Sequence, residues 1–208
     1  MIDYQHMLQY VKDVLTRNGG EKSANPHQQF RSRSEHCRRT YEWCRRLLRE
    51  EPISCLREDV LLTGAIFHDC GYNRQGIPHE TMGAEIFRAY MNTHHPNQTE
   101  LTEAVSGMIL LHSKKELLCA GYTAPELILL MEADLLDEEG AMGIMTDCFT
   151  IAHMERYDPD FIHNHLRNHA GSILDHAPMV TPYAKACWKE KQKVVSDFLA
   201  ALSFDIFS

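Results

Sequence analysis

Residues 61–72 read LLTGAIFHDCGY, an apolar run that ends in a His-Asp pair followed closely by a glycine. The run is helix-like, and burying it would carry His68 and Asp69 into the interior of the protein. A buried imidazole beside a buried carboxylate is costly unless something satisfies both groups. A divalent metal ion does so, because histidine and carboxylate are common ligands for Zn, Mn and Fe. The simpler alternative is an aspartate at a helix end, hydrogen-bonded to a core histidine. A metal site would need further ligands from elsewhere in the chain.

The composition is that of a globular protein with one domain, or one domain and an appendage. The chain has 208 residues, of which 44% are apolar and 24% are charged. Its net charge of -8 argues against a nucleic-acid backbone or an anionic membrane as the main partner. The seven cysteines form no CxxC pair, which indicates reduced thiols and predicts a cytoplasmic protein. Neither a signal peptide nor a membrane-spanning run is predicted.

The hydrophobic periodicity predicts an all-α protein, because apolar residues recur at helical spacing and no period-2 run is found. Gly19 and Gly20 stop the first helix, and Pro125 suits the first position of a later one. The predicted helices cover about 2–17, from Ser32 or Ser34 to about 51, and about 57–69, 79–92, 99–112, 125–137, 141–156, 160–176 and 181–202.

Several of these helices carry an imidazole or a carboxylate beside an apolar stripe. For any one such residue, a satisfied core histidine or a capping aspartate is the commoner explanation. Five positions on five helices are harder to explain that way, because packed helices can direct all of them at one point. The sequence therefore predicts one shared site at the centre of a helical bundle, made by His36, His68-Asp69, His79, His112 and Asp134.

Further segments around these residues carry a resemblance to a known family. Residues 79–86 read HETMGAEI, which is similar to an HxxxGAxI segment, and residues 109–112 read ILLH. Residues 133–144 read ADLLDEEGAMGI, which is similar to an AD-x-LD-xx-GA-x-GI segment. Together with the order His36, His68-Asp69 and Asp134, these segments resemble the HD-domain superfamily of metal-dependent phosphohydrolases, in its branch of small stand-alone bacterial proteins. The resemblance covers about 30–200 and implies an HD-domain-like helical bundle.

The resemblance also implies one or two divalent ions, which would be Mn, Fe, Ni, Co or Zn. Adjacent residues on a helix point about 100° apart, so Asp69 can face a second ion while His68 serves the first. Two such ions can clamp the attacking and leaving oxygens of a phosphoryl transfer. The implied ligands of the first ion are His36, His68, Asp69 and Asp134, and those of the second are Asp69, His79 and His112.

The chain departs from the family at a residue that helps to hold phosphate. Many members have a lysine directly after HD-x-G, where this chain has Tyr72. Other basic side chains would then have to bind the phosphate, although each is more commonly a solvated surface charge. The candidates are Arg39, Arg74, Lys114 and Lys115.

Asp69 and Glu80 are the candidate catalytic residues. Asp69 would bridge the two ions. Glu80 could act as a general base near them, while its simpler role is that of a favourable acid in the first turn of a helix.

Three functions remain open at this point. The first is a hydrolase in which metal-activated water attacks a phosphomonoester, a nucleotide or a pyrophosphate, a small phosphorylated molecule in each case. The second is a di-iron oxygenase of the same superfamily, which the absence of the lysine mildly favours. The third is a non-catalytic ligand-binding or regulatory protein with a structural metal.

A single domain is predicted over residues 1–208, with a core at about 30–155 and a C-terminal helical extension at about 156–208. A homodimer would use the early arginine-rich helix or the C-terminal helix as its contact face. Nucleic acids and membranes are not expected partners.

Overall fold

The computed structural model describes residues 2–23, 32–154, 156 and 158–207. These residues contain no strand beyond an isolated antiparallel bridge between Lys22 and Ser32, so the prediction of an all-α protein is confirmed. None of the described helices combines the length and the apolar character that crossing a bilayer requires. The helices are α1 (Tyr4–Asn18), α2 (Arg33–Glu50), α3 (Glu58–Phe67), α4 (His79–His94), α5 (Thr99–Leu111), α6 (Pro125–Glu138), α7 (Ala141–His153), α8 (Pro159–Asn168) and α9 (Pro182–Phe207), with short 3-10 helices at Lys115–Cys119 and Ala170–Asp175.

Several helix ends lie where local signals in the sequence place them. Gly19 ends α1 with a φ of 70°, in the left-handed region that favours glycine. The side chain of Ser32 accepts a hydrogen bond from the N–H of Glu35, so Ser32 rather than Ser34 caps α2. Pro125 is the first residue of α6, where its missing N–H costs nothing.

Three predicted helices end earlier in the structure. The helix predicted to reach residue 69 stops at Phe67, because His68 caps α3 and Asp69 lies in the following turn. The helix predicted to reach about 156 ends at His153. The helix predicted over 160–176 is α8 followed by a 3-10 helix, since His169, with φ of -106° and ψ of -85°, leaves the helical region.

Helix α3 is the buried centre of the bundle. Every residue from Val60 to Phe67 is buried, and the helix packs against α1, α2, α5 and α6. A helix that is buried on all sides must be surrounded by other elements. Its C-terminal end, and with it His68, therefore lies inside the protein.

A buried carboxylate joins α6 to the start of α9. Glu132 is fully buried and accepts hydrogen bonds from the N–H of Val180 at 2.5 Å and from the N–H and hydroxyl of Thr181 at 2.8 and 2.7 Å. These three donors replace the water that the carboxylate loses on burial. The contact fixes the part of α6 that also carries Asp134. The division into a core and a C-terminal extension stays a prediction.

Candidate metal centre

The structure brings the six predicted metal ligands together in one cluster. Five are buried and one is partly buried, and four of them lie at or just beyond the end of a helix. The elements that contribute them form the centre of the bundle, so the polar cluster is enclosed by the core. They are His36 in the first turn of α2, His68 and Asp69 after α3, His79 at the start of α4, His112 after α5, and Asp134 in α6.

A first group of donor atoms surrounds the Nε2 atom of His36. This nitrogen lies 3.1 Å from Asp134 Oδ1, 3.2 Å from His68 Nε2 and 3.6 Å from Asp69 Oδ2. His68 Nε2 lies 3.7 Å from Asp134 Oδ1 and 3.8 Å from Asp69 Oδ2. Two imidazole nitrogens and two carboxylate oxygens are a donor set that suits a divalent transition metal.

A second group of donor atoms surrounds the other oxygen of Asp69. Its Oδ1 lies 3.3 Å from His112 Nε2 and 3.5 Å from His79 Nε2, and these two nitrogens are 3.3 Å apart. The Ser113 hydroxyl lies 3.3 Å from each nitrogen. Asp69 therefore offers one oxygen to each group, as a carboxylate that bridges two ions would.

Hydrogen bonds hold two of the histidine rings with Nε2 facing the cluster. Nδ1 of His68 lies 2.8 Å from the carbonyl oxygen of Ala65, and Nδ1 of His112 lies 2.7 Å from that of Ile109. A carbonyl oxygen only accepts, so Nδ1 carries a proton in each ring and Nε2 is the nitrogen that can bind a metal ion. Hydrogen bonds of this kind orient the histidine ligands of protein metal sites.

His36 is oriented by Asp137, which lies outside the predicted set. Asp137 Oδ2 accepts a hydrogen bond from His36 Nδ1 at 2.7 Å, and the carboxylate also accepts two from Arg39, at 2.8 and 2.9 Å. The sequence signal for Asp137 is its place one helical turn after Asp134. The adjacent Glu138 places a further carboxylate within 4.8 Å of the donor atoms of His36 and Asp134.

The charges in the cluster favour a cation. Burial alone would raise the pKa of Asp69, but the neighbouring His68 and the hydrogen bond from His112 hold it well below its usual range. Burial opposes a charge on His36, yet hydrogen bonds to carboxylates, that of Asp134 first, raise its pKa to about 10. The ionised carboxylates therefore draw a proton or a metal ion in among the histidine nitrogens.

Two basic side chains border the carboxylates. Lys115, a predicted substrate contact, places Nζ 2.6 Å from Asp134 Oδ2. Arg33 places Nη1 3.0 Å from Asp69 Oδ2. Arg33 lies outside the predicted set, and a single arginine at the start of a polar helix gives no sequence signal that would distinguish it.

The remaining predicted cations differ in their placement. Arg39 donates two hydrogen bonds to the carboxylate of Asp137. Arg74 is exposed and lies over Gly19 at the end of α1, and Lys114 is also exposed. In the described ranges, no hydrogen bond or ion pair joins the side chain of Arg74 or Lys114 to the six predicted ligands.

Glu80 lies beside His79 at the edge of the cluster. Its Oε2 is 3.3 Å from His79 Nδ1. Burial would raise the pKa of Glu80, but hydrogen bonds from its own backbone N–H and from Ser113 lower it. The ionised carboxylate favours a proton on Nδ1 of His79, which leaves Nε2 for the cluster.

Gly71 allows α4 to approach the turn that carries Asp69. A Cβ atom at this position would lie 2.0 Å from the carbonyl oxygen of His79 and 2.3 Å from the backbone nitrogen of Gly83. Both are backbone atoms, so no side chain fits here. The glycine after the His-Asp pair thus keeps the two donor groups next to each other.

Comparisons with known proteins agree with the helical fold. A family model for the HD domain matches residues 33–139, which is more than half of the chain. A search of curated proteins found no match. Among solved structures, an HD-superfamily hydrolase from Bacillus thuringiensis is 19% identical with a TM-score of 0.69, over 97% of this chain and 95% of that chain. Bacillus subtilis YpgQ, solved in complex with ADP, is 18% identical with a TM-score of 0.67, over 99% and 95%. The structural likeness shows the HD-superfamily fold, and the family match shows that the chain belongs to the HD domain family.

Proposed function

We propose that the chain is a metal-dependent phosphohydrolase that acts on a phosphomonoester, a nucleotide or a pyrophosphate. The observation that carries the proposal is that the two groups of donor atoms share Asp69. Its two oxygens face two separate pairs of histidine nitrogens, at 3.6 and 3.8 Å on one side and 3.3 and 3.5 Å on the other. Neighbouring cation sites joined by a carboxylate suit a reaction in which an attacking and a leaving oxygen must both be held. Membership of the HD domain family supports a hydrolase.

The proposed ligands are the six clustered residues. Their nitrogen and oxygen donors accept Mn, Fe, Co, Ni or Zn. When bound, such ions supply positive charge that lowers the pKa of water and offsets the charge of a phosphoryl group. The first ion would be held by His36, His68, Asp69 and Asp134, and the second by Asp69, His79 and His112.

Other residues of the chain would handle protons and ligand contacts. Glu80 is ionised and partly exposed beside His79, so it is placed to accept a proton at the edge of the cluster. The Ser113 hydroxyl, 3.3 Å from His79 Nε2, donates its proton to Glu80, so its oxygen can accept a hydrogen bond from a ligand. Lys115 supplies a positive charge on the opposite side, next to Asp134.

A cavity on the Asp137 side of His36 is our candidate for the site that receives the rest of a small substrate, although the six ligands are not among its lining residues. Its volume is about 240 Å³, and its lining includes Arg39, Asp137, Met142 and Met145. Methionine side chains adapt readily to apolar and aromatic groups. Because the similar YpgQ was solved in complex with ADP, nucleoside phosphates belong among the first substrates to be tested.

A di-iron oxygenase is the second candidate, and Tyr72 is the observation that favours it. Tyr72 stands where many HD phosphohydrolases have a lysine that helps to hold phosphate. Its ring stacks on His79 instead, with the centroids 4.3 Å apart and the planes 16° from parallel. Oxygen uptake and the absorbance of a mixed-valent di-iron centre would distinguish this activity from hydrolysis.

Metal content, measured by plasma mass spectrometry on protein prepared without chelators, tests the proposal. The proteins are wild type, Asp69→Ala and Asp59→Ala. Asp59 is partly exposed on α3, so its variant controls for the loss of one negative charge. We expect about two ions per chain in wild type and in the control, loss of metal in Asp69→Ala, and metal-dependent phosphate release by wild type.

Each other outcome has a separate meaning. About one ion per chain would remove His79 and His112 from the ligand set and leave them a role in substrate binding. Metal with oxygen uptake and no phosphate release would favour the oxygenase. Metal with neither activity would favour a non-catalytic protein. A protein that binds no metal, even after loading with Mn or Fe, would overturn all three of these functions.

A further inference from the structure

We propose that Arg33 binds an anionic oxygen of the substrate and that Tyr72 holds the guanidinium in place for it. The inference rests on the proposed phosphohydrolase function and names the residue that would recognise the phosphate group.

Arg33, Tyr72 and His79 form a stack at the edge of the metal cluster. The guanidinium carbon of Arg33 lies 3.8 Å from the centroid of the Tyr72 ring, and the same ring stacks on His79 at 4.3 Å. Arg33 Nη1 also lies 3.0 Å from Asp69 Oδ2. A planar cation held by both a carboxylate and an aromatic face is oriented before any ligand arrives.

The guanidinium of Arg33 has donors left for an anion. Arginine carries five N–H groups, and within the described part of the chain only Nη1 makes a side-chain hydrogen bond, to Asp69. The side chain is 15% exposed, and a poorly hydrated guanidinium binds phosphate oxygens strongly. Asp69 Oδ2 also faces His36 and His68. A cation held by these residues competes with Arg33 for that oxygen and leaves more of the guanidinium for a ligand.

Arg39 and Lys115, which are also described near the cluster, lack this combination. Nε and Nη2 of Arg39 both donate to Asp137, which offsets its charge. Lys115 contacts Asp134 through an ammonium group on a flexible stem, so no ring or fork fixes its orientation. Arg33 is both oriented and supplied with free donors.

Isothermal titration of the metal-loaded protein with inorganic phosphate tests the proposal. Arg33→Met removes the charge and keeps an unbranched side chain. We expect wild-type metal content and a phosphate affinity lower by about ten- to a hundredfold, the range for a hydrogen bond to a charged group. Arg38→Met is the matched control, because Arg38 is an exposed arginine on the same helix, paired with Glu35. Its affinity for phosphate should equal that of wild type.

Variants of Tyr72 separate the stacking from the charge. Tyr72→Phe keeps the ring and should bind phosphate as wild type does. Tyr72→Leu removes the ring and should weaken binding by about threefold or more. Arg33→Lys keeps the charge without the planar fork, and its affinity should fall between those of wild type and Arg33→Met. Arg33→Lys and Tyr72→Leu also decide the question if Arg33→Met does not fold.

Two results would overturn the role of Arg33 while leaving the proposed function intact. The first is unchanged phosphate affinity in Arg33→Met at full metal content. The second is loss of metal in that variant, which would make Arg33 a residue that positions Asp69. A wild-type protein that binds metal and neither binds phosphate nor releases it from any ester would instead overturn the proposed function, and the role of Arg33 with it.

Discussion

Replacing Asp137 by asparagine tests how the metal centre is oriented. The Asp137 carboxylate is buried and accepts one hydrogen bond from His36 and two from Arg39. Asparagine has nearly the same shape, but it has one carbonyl oxygen and an NH2 group that itself donates. The NH2 group must therefore face a donor, either Nδ1–H of His36 or the guanidinium of Arg39. In both arrangements His36 loses the negative charge that favours a proton on its Nδ1 and a lone pair on its inward Nε2.

The expected loss is about ten- to a hundredfold in metal affinity, the usual range when a residue that orients a metal ligand is changed. At about 1.36 kcal/mol per tenfold change, this corresponds to about 1.4 to 2.7 kcal/mol. Only the donor group that contains His36 should be affected. The group made by Asp69, His79 and His112 makes no hydrogen bond to Asp137 in the part of the chain that the structure describes, so its affinity should stay the same.

Competition titration against a chelator of known affinity measures both binding steps. The proteins are wild type, Asp137→Asn and Asp59→Asn. The last makes the same charge change at a partly exposed aspartate paired with Arg57. We expect one weakened step in Asp137→Asn and none in Asp59→Asn. Equal affinities in all three proteins would refute the role given to Asp137. Equal weakening of both steps would mean that the substitution acts through the fold rather than through His36.

The remaining predictions concern stability. Gly71→Ala should lower the free energy of unfolding by about 3 kcal/mol or more, because the new Cβ would lie 2.0 Å from the carbonyl oxygen of His79. Gly107 lies in a helix interior, and in the described part of the chain no side chain or other element lies within 4 Å of a Cβ added there. Gly107→Ala should therefore raise the free energy of unfolding by up to about 1 kcal/mol, and urea denaturation that gave both variants the same sign would contradict this. Glu132→Ala leaves the buried donors of Thr181 unsatisfied and should cost about 3 kcal/mol in the same assay, whereas a loss under about 1 kcal/mol would show that water replaces the carboxylate. Dialysis against a chelator should lower the melting temperature, and restoring the metal at about 100 times its dissociation constant should recover about 2.7 kcal/mol; an unchanged melting temperature would argue against a bound ion.

The central elements of the fold were predictable because their signals are local. A helix with no polar side, such as α3, can only be buried, so the run before His68 predicts the middle of the bundle. Ser32 and Pro125 mark helix starts through the chemistry of their own side chains. The six predicted ligands lie together because they sit on or beside the helices that form the core.

Contacts between distant residues without an apolar pattern were not predictable. Arg33 and Asp69 are 36 positions apart, and His36 and Asp137 are 101 positions apart. Neither pair has a spacing that periodicity detects. Arg74 is a candidate for phosphate binding because it is close to Tyr72 in sequence, but the chain turns there and carries its side chain to the end of α1.

The hydrogen bonds of Glu132 bear on where the folding unit ends. The HD family match stops at residue 139, yet the donors that satisfy Glu132 lie at residues 180 and 181. A chain truncated at 139 would retain this carboxylate without its donors, two positions before Asp134 in the same helix. We therefore expect the unit that folds around the candidate metal centre to extend beyond the segment matched by the family model, at least to the start of α9. Transplanting the centre into another protein would have to carry the start of α9 along with it.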